Sequence, residues 1–177
     1  EEIGVAKTRN PLGHSSAARV IAYLMERSQR VLQICDVLAA LADDLSKRCI
    51  PMWRENKKQG ALALCSHFAL VLGVVVPMLL ERSDGVADRE DVILRVKADC
   101  TDLNHRVSDL EELFSDALST STYRIKSEAL GFALRAHFEA LRCHIGWETD
   151  VLWPLALRIL TPEDLDNLAD TIPDAVH

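Results

Sequence analysis

The run LGFALRAHFEALRCHIGWETDVLWPL, residues 130–155, sets Leu130, Leu134, His137, Leu141, His144, Glu148, Val151 and Leu155 at alternating steps of three and four. That period is the face of an amphipathic α-helix, and no strand-like alternation competes with it. Working outward, Val96, Cys100, Leu103, Val107, Leu110 and Phe114 repeat the pattern, as do Leu24, Ser28, Val31, Cys35, Leu38, Ala42 and Leu45. Breaks rich in turn formers, CIPMWRENKKQG, RSDG and LSTST, separate four long segments near 12–48, 60–82, 88–119 and 123–158. Thr161, Pro162 and Glu163 read as an N-cap with proline at the first helical position, opening a short tail helix. The expected fold is all-α: an up-down-up-down four-helix bundle with a C-terminal tail helix, forming a single domain over residues 1–177.

Composition narrows the function classes. A chain of 177 residues, 49% apolar and with a net charge of −7, can bury a core but lacks a surface for neutralising phosphates, so nucleic acid is not an expected partner. Five cysteines without CxxC spacing, and an N-terminus without a charged-then-apolar leader, point to free thiols in the cytoplasm. Residues 61–80 are long enough to span a bilayer, but Ser66, His67 and Pro77 interrupt them and no second such run exists, so no membrane is expected. No glycine-rich phosphate loop, nucleophile turn or second inward carboxylate marks an enzyme, which leaves enzymatic activity open but disfavoured.

The stripes also sort the polar residues. His144 and Glu148 lie one turn apart on the apolar face, so an imidazole and a carboxylate point into the core. Cys100 lies in the third stripe, whereas His105 lies half a turn away among charged residues and reads as solvent-facing. His137, two turns before His144 and about 10 Å along the axis, belongs to a second polar layer, binds a haem or other ligand from the bundle, or makes a cross-core hydrogen bond. Cys35 and Cys65 read as packing residues; Cys49 and Cys143 carry no readable role, and Trp53, Trp147 and Trp153 are too dispersed for a stacking platform.

An earlier stretch, HFALVLGVVVP at 67–77, shares the later one's punctuation: His, then Pro ten residues on, with Val71 where HIGWETDVLWP has Glu148. Together with FEALRCHIGWETDVLWPLALRILTPEDLDNLAD, these residues resemble the hemerythrin-like (HHE) family, in which His-x-x-x-Glu on the fourth helix precedes an apolar pair, Pro and a threonine-initiated tail helix. The spacing matches from Arg142 through Leu168; the second helix matches at His67 and Pro77, the first in CDVLAALADDL and the third in RVKADCTDL. The resemblance implies a mid-bundle iron pair held by one His each from the first and third helices and by His-x-x-x-Glu from the second and fourth. Carried over, it selects His67, His144 and Glu148, puts Val71 in place of a Glu, Cys100 in place of a His, and Ser28 or Gln29 in place of the other.

Half that set is missing, so a di-iron oxygen centre is not expected. Two readings stay open. His67, Cys100, His144 and Glu148 suit a single iron or zinc ion in a sensing or regulatory protein. Alternatively, no metal binds and the all-apolar LVLGVVV, residues 70–76, presents Leu72, Gly73 and Val76 as a face for a homo-oligomer or a protein partner.

Overall fold

The computed structural model describes residues 13–43, 63–119 and 123–172, and within them the RSDG break and the helix start at Thr161–Pro162 fall where the turn formers stand. Among the described residues there are five helices and no strand. Helix α1 is Gly13–Asp43 and α2 is Ala63–Glu81; α3 is Ala87–Ser119. Helix α4 runs as Tyr123–Trp147, passes through a π-helical turn at Glu148–Leu152, and continues as Trp153–Ile159; α5 is Pro162–Thr171. Leu45, the whole first break with Cys49 and Trp53, and the Phe114 side chain lie outside the described residues.

The α2–α3 turn depends on left-handed backbone at Asp84 (φ 56°) and Gly85 (φ 68°), the second of which suits glycine's lack of a Cβ. Thr161 caps α5 through a reciprocal capping box: its Oγ1 accepts from the Asp164 N–H while Asp164 Oδ2 accepts from the Thr161 N–H. Arg82, just past α2, forks onto the same carboxylate at 2.9 Å on both oxygens, tying the end of α2 to the start of α5. The guanidinium, followed by the Thr161 hydrogen bonds, holds the Asp164 carboxyl at about 2.

Helix α4 is central, packing along both α1 and α3, and α5 covers α1. The end of α2 meets α3, and Arg27 Nη2 on α1 donates to Ser66 Oγ on α2 at 2.6 Å. The core carries the expected stripes: Leu24, Ser28, Val31, Cys35, Leu38 and Ala42; Val96, Cys100 and Leu103; Leu130, Leu134, His137, Leu141, His144, Glu148 and Leu155.

Two departures share one cause. Helix α2 contains a π-helical turn at Val71–Val75, in which the Val76 N–H bonds Val71 O; the Trp153 N–H likewise bonds Glu148 O in α4. Each turn begins four residues after its His and ends two before its Pro, so the repeated punctuation marks a repeated backbone device. Proline lacks the N–H for the carbonyl four residues back and its ring crowds that carbonyl; a widened turn relieves both.

The extra residue shifts everything downstream by one position on the helix face. Val76 is therefore buried in the core rather than on the outer face expected for it, and Leu152 and Trp153 replace half-buried Val151 in the α4 stripe. Leu72 is half-buried and Gly73 exposed. Cys65, expected to pack, is exposed, because it lies off the buried face formed by Leu64, His67, Phe68 and Val71.

Helix α2 is the one described helix long and apolar enough to cross a membrane, with less than half of it buried. Its histidine is committed to the interior of this chain.

Candidate metal centre

Glu148 is the hub. Its carboxylate, with no solvent exposure, accepts from Ser28 Oγ on α1 at 3.0 Å and from His144 Nε2, one turn back on α4, at 3.1 Å. His67 Nε2 on α2 bridges both oxygens, at 3.1 Å from Oε1 and 3.0 Å from Oε2. Cys100 Sγ on α3 lies 3.3 Å from His144 Nε2. Each of α1 to α4 thus sends a buried polar side chain to one level of an otherwise apolar core.

The π-helical turn does more than accommodate Pro154. By turning Trp153 inward it brings Trp153 Nε1 to 3.3 Å from Ser28 Oγ, so the serine accepts from the indole while donating to Glu148. Phe68 closes the layer, its ring meeting His144 edge-on with centroids 6.0 Å apart.

Electrostatics follow from this wiring. Burial pushes the Glu148 carboxyl up, but the hydrogen bonds from His144 and His67 and their charge outweigh it and hold it below the ordinary carboxylate range. Burial, then the charges of Glu148 and Asp99, push the Cys100 thiol well above its ordinary value, so without a cation it is a neutral thiol.

The donor atoms of Cys100, His144 and Glu148 lie within 4.8 Å of one another, all buried, and this cluster could hold a metal ion. Within this group His144 Nε2 stands 3.1 Å from Glu148 and 3.3 Å from Cys100, near the ligand spacing of about 3.3–3.6 Å around a tetrahedral ion with bonds of about 2.0–2.3 Å, and the third edge, Cys100 to Glu148, is within 4.8 Å. A few tenths of an ångström of expansion accommodates one cation. A cation would also draw the proton from Cys100. His67 stands outside the group of three and joins it through Glu148.

The histidines supply a further check. With Nε2 turned to the carboxylate, Nδ1 of both His67 and His144 is buried without a hydrogen-bond partner. A metal-bound imidazole normally donates its other N–H. For His144 an acceptor is close: Asp99 Oδ2 lies 3.9 Å from Nδ1.

The remaining residues divide clearly. Ser28 is in the layer and Gln29 is exposed; Val71 is fully buried and brings no ligand atom. His105 is exposed. His137 is buried one level away, its Nδ1 unpartnered, and burial followed by the Arg106 charge drives its pKa down to about 4. Cys35, packed and pushed up to about 11 by burial, is a core thiol; Cys143 is exposed. Trp153 and Asp99 were not legible as site residues, the first because only the π-helical turn faces it inward, the second because its spacing marks it as surface.

No protein-family model matches the chain, and neither a curated protein nor a solved structure matches it.

Proposed function

We propose that the chain is a hemerythrin-like four-helix bundle with a tail helix, whose reduced centre binds one iron or zinc ion in a sensing or regulatory role. One observation carries this reading: Cys100 Sγ, His144 Nε2 and a Glu148 oxygen, all of buried residues, converge within 4.8 Å of one another. Thiolate, imidazole and carboxylate together suit zinc or a mononuclear iron. Two cations would be held by a single carboxylate, since Val71 and Ser28 supply no negative charge; this argues against a di-iron oxygen carrier. The free thiols of Cys35, Cys65, Cys100 and Cys143 fit a reducing, cytoplasmic setting.

The test is elemental analysis of protein purified with iron and zinc supplied and without chelator, followed by Co²⁺ substitution. About one ion per chain, with a thiolate-to-cobalt absorption lost in Cys100→Ala, is expected. No bound metal in wild type overturns the reading, and two ions per chain would overturn its stoichiometry.

A second reading has its own support. Protein donors alone, Ser28, His67 and His144, occupy both Glu148 oxygens, so the buried carboxylate is hydrogen-bonded without a cation. Helix α2 also leaves Leu70, Leu72, Val74, Met78 and Leu80 only half-buried, with open space beside Gly73. Under this reading the layer is a structural remnant and α2 serves as an oligomer or partner face. Leu72→Glu is then expected to lower the sedimentation mass of the wild-type assembly; a wild type that stays monomeric at high concentration removes the oligomer form of the reading.

A further inference from the structure

Solvent approaches the polar layer through a cleft of about 290 Å³ between α3 and α4, bordered by Arg95, Asp99, Asp102, Arg106, Cys143 and Trp147, with His144 among its lining residues. His144 is 3% exposed, and its Nδ1 is buried and unpartnered. Most charged groups around the cleft are engaged. Arg106 Nε donates to Asp102 Oδ2 at 2.8 Å, and the Arg95 guanidinium lies 4.1 Å from the centroid of the Trp147 ring. Asp99 is held loosely: its Oδ2 stands 3.8 Å from Arg95 Nε and 3.9 Å from His144 Nδ1, beyond hydrogen-bond range of either.

We infer that Asp99 is the positioning residue of the centre: its carboxylate closes from the cleft onto His144 Nδ1–H when Nε2 becomes a metal ligand. This rests on the single-metal reading. The chemistry is directional. With Nε2 bound to a cation, the imidazole N–H is at Nδ1, a buried donor in need of an acceptor. Asp99 needs to move by only about 1 Å to reach an ordinary hydrogen-bond length, and the cleft leaves room for that rotation. The carboxylate then fixes the imidazole plane and raises its basicity toward the divalent cation. Asp99 also neighbours Cys100 in sequence, so one turn of α3 supplies both a ligand and the support of another.

The experiment is Co²⁺ titration of the metal-free full chain, comparing wild type with D99N, D99A and, as a cleft control, D102N. Support of this kind changes affinity by roughly 10–100-fold. D99A is expected to weaken Co²⁺ binding within that range and D99N by less, with the thiolate-to-cobalt absorption still present at saturation. D102N should stay within about twofold of wild type, well below that 10–100-fold range. Thermal melting of the metal-free proteins separates positioning from folding: D99A should melt with wild type, since Asp99's contacts to Arg95 and His144, at 3.8 and 3.9 Å, are longer than hydrogen bonds. Wild-type affinity in both Asp99 variants overturns the inference while leaving the metal reading intact. So does tighter binding by D99N, the sign expected if Asp99's charge chiefly opposes the Cys100 thiolate. A wild type that takes up no Co²⁺ removes the metal reading itself, and this inference with it.

Discussion

Replacing Glu148 with Ala tests whether the polar layer is wired as described. The substitution removes the acceptor of the buried Ser28 Oγ, His67 Nε2 and His144 Nε2 at once. Breaking a buried pair by deleting one partner costs about 3–5 kcal/mol, because the groups left behind keep their desolvation penalty. At a urea dependence on the order of 2 kcal/mol/M, that shifts the unfolding midpoint down by about 1.5–2.5 M. Metal-free protein should be used, followed by far-ultraviolet circular dichroism and by tryptophan emission. Trp153 Nε1 bonds Ser28, so its emission senses the layer directly. Glu148→Met together with His67→Leu removes a donor along with the acceptor, and the double change should cost less than the two single changes summed, by about 1 kcal/mol or more. Glu148→Ala within about 1 kcal/mol of wild type, well short of the cost of orphaning buried donors, would refute the account of the layer.

Further expectations follow from other features of the fold. His137 is kept neutral by burial, its pKa moved from 6.5 to about 4, so the unfolded chain binds more protons between those values. Stability should therefore fall as pH drops from about 6.5 to 4, by on the order of 3 kcal/mol, and His137→Leu should flatten that part of a urea-midpoint profile. Unchanged acid sensitivity in the variant would contradict it. Asp164 is depressed instead, so its contribution is present above its unfolded pKa and lost as pH falls toward about 2. At neutral pH Asp164→Ala removes half the capping box and the Arg82 fork, for a loss of about 1–2 kcal/mol in denaturant melts. Among the described cysteines, Cys65 and Cys143 should react with a thiol reagent in the native protein, while Cys35 and Cys100 react only on unfolding; peptide mapping after labelling distinguishes them. Gly73 has open space where a Cβ would go, so Gly73→Ala should stabilise the monomer by about 0.5–1 kcal/mol. If it also dissolves an oligomer, a second chain approaches closely there.

Much about the helices was written in local spacing. Steps of three and four place side chains on one face because the α-helical rise and twist are fixed by the backbone, so the burial of Cys100, His144 and Glu148 and the exposure of His105 could be read before any fold was known. Thr161 and Pro162 likewise announce a helix start through their own hydrogen-bonding and torsional limits. The His-to-Pro punctuation at 67–77 and 144–154 was visible, but its meaning was not: the widened turns that follow each His rotate Val76 and Trp153 inward, against the regular count.

What only the tertiary structure decided is how one helix stands against another. The vertical offset between helices is set by packing over the whole core, and no local spacing encodes it. It set Ser28 at the level of Glu148, left His67 outside the group of Cys100, His144 and Glu148, and set Asp99 beside the unpartnered nitrogen of His144. The sequence by itself determined which side chains face inward; the packed core determined which of them meet.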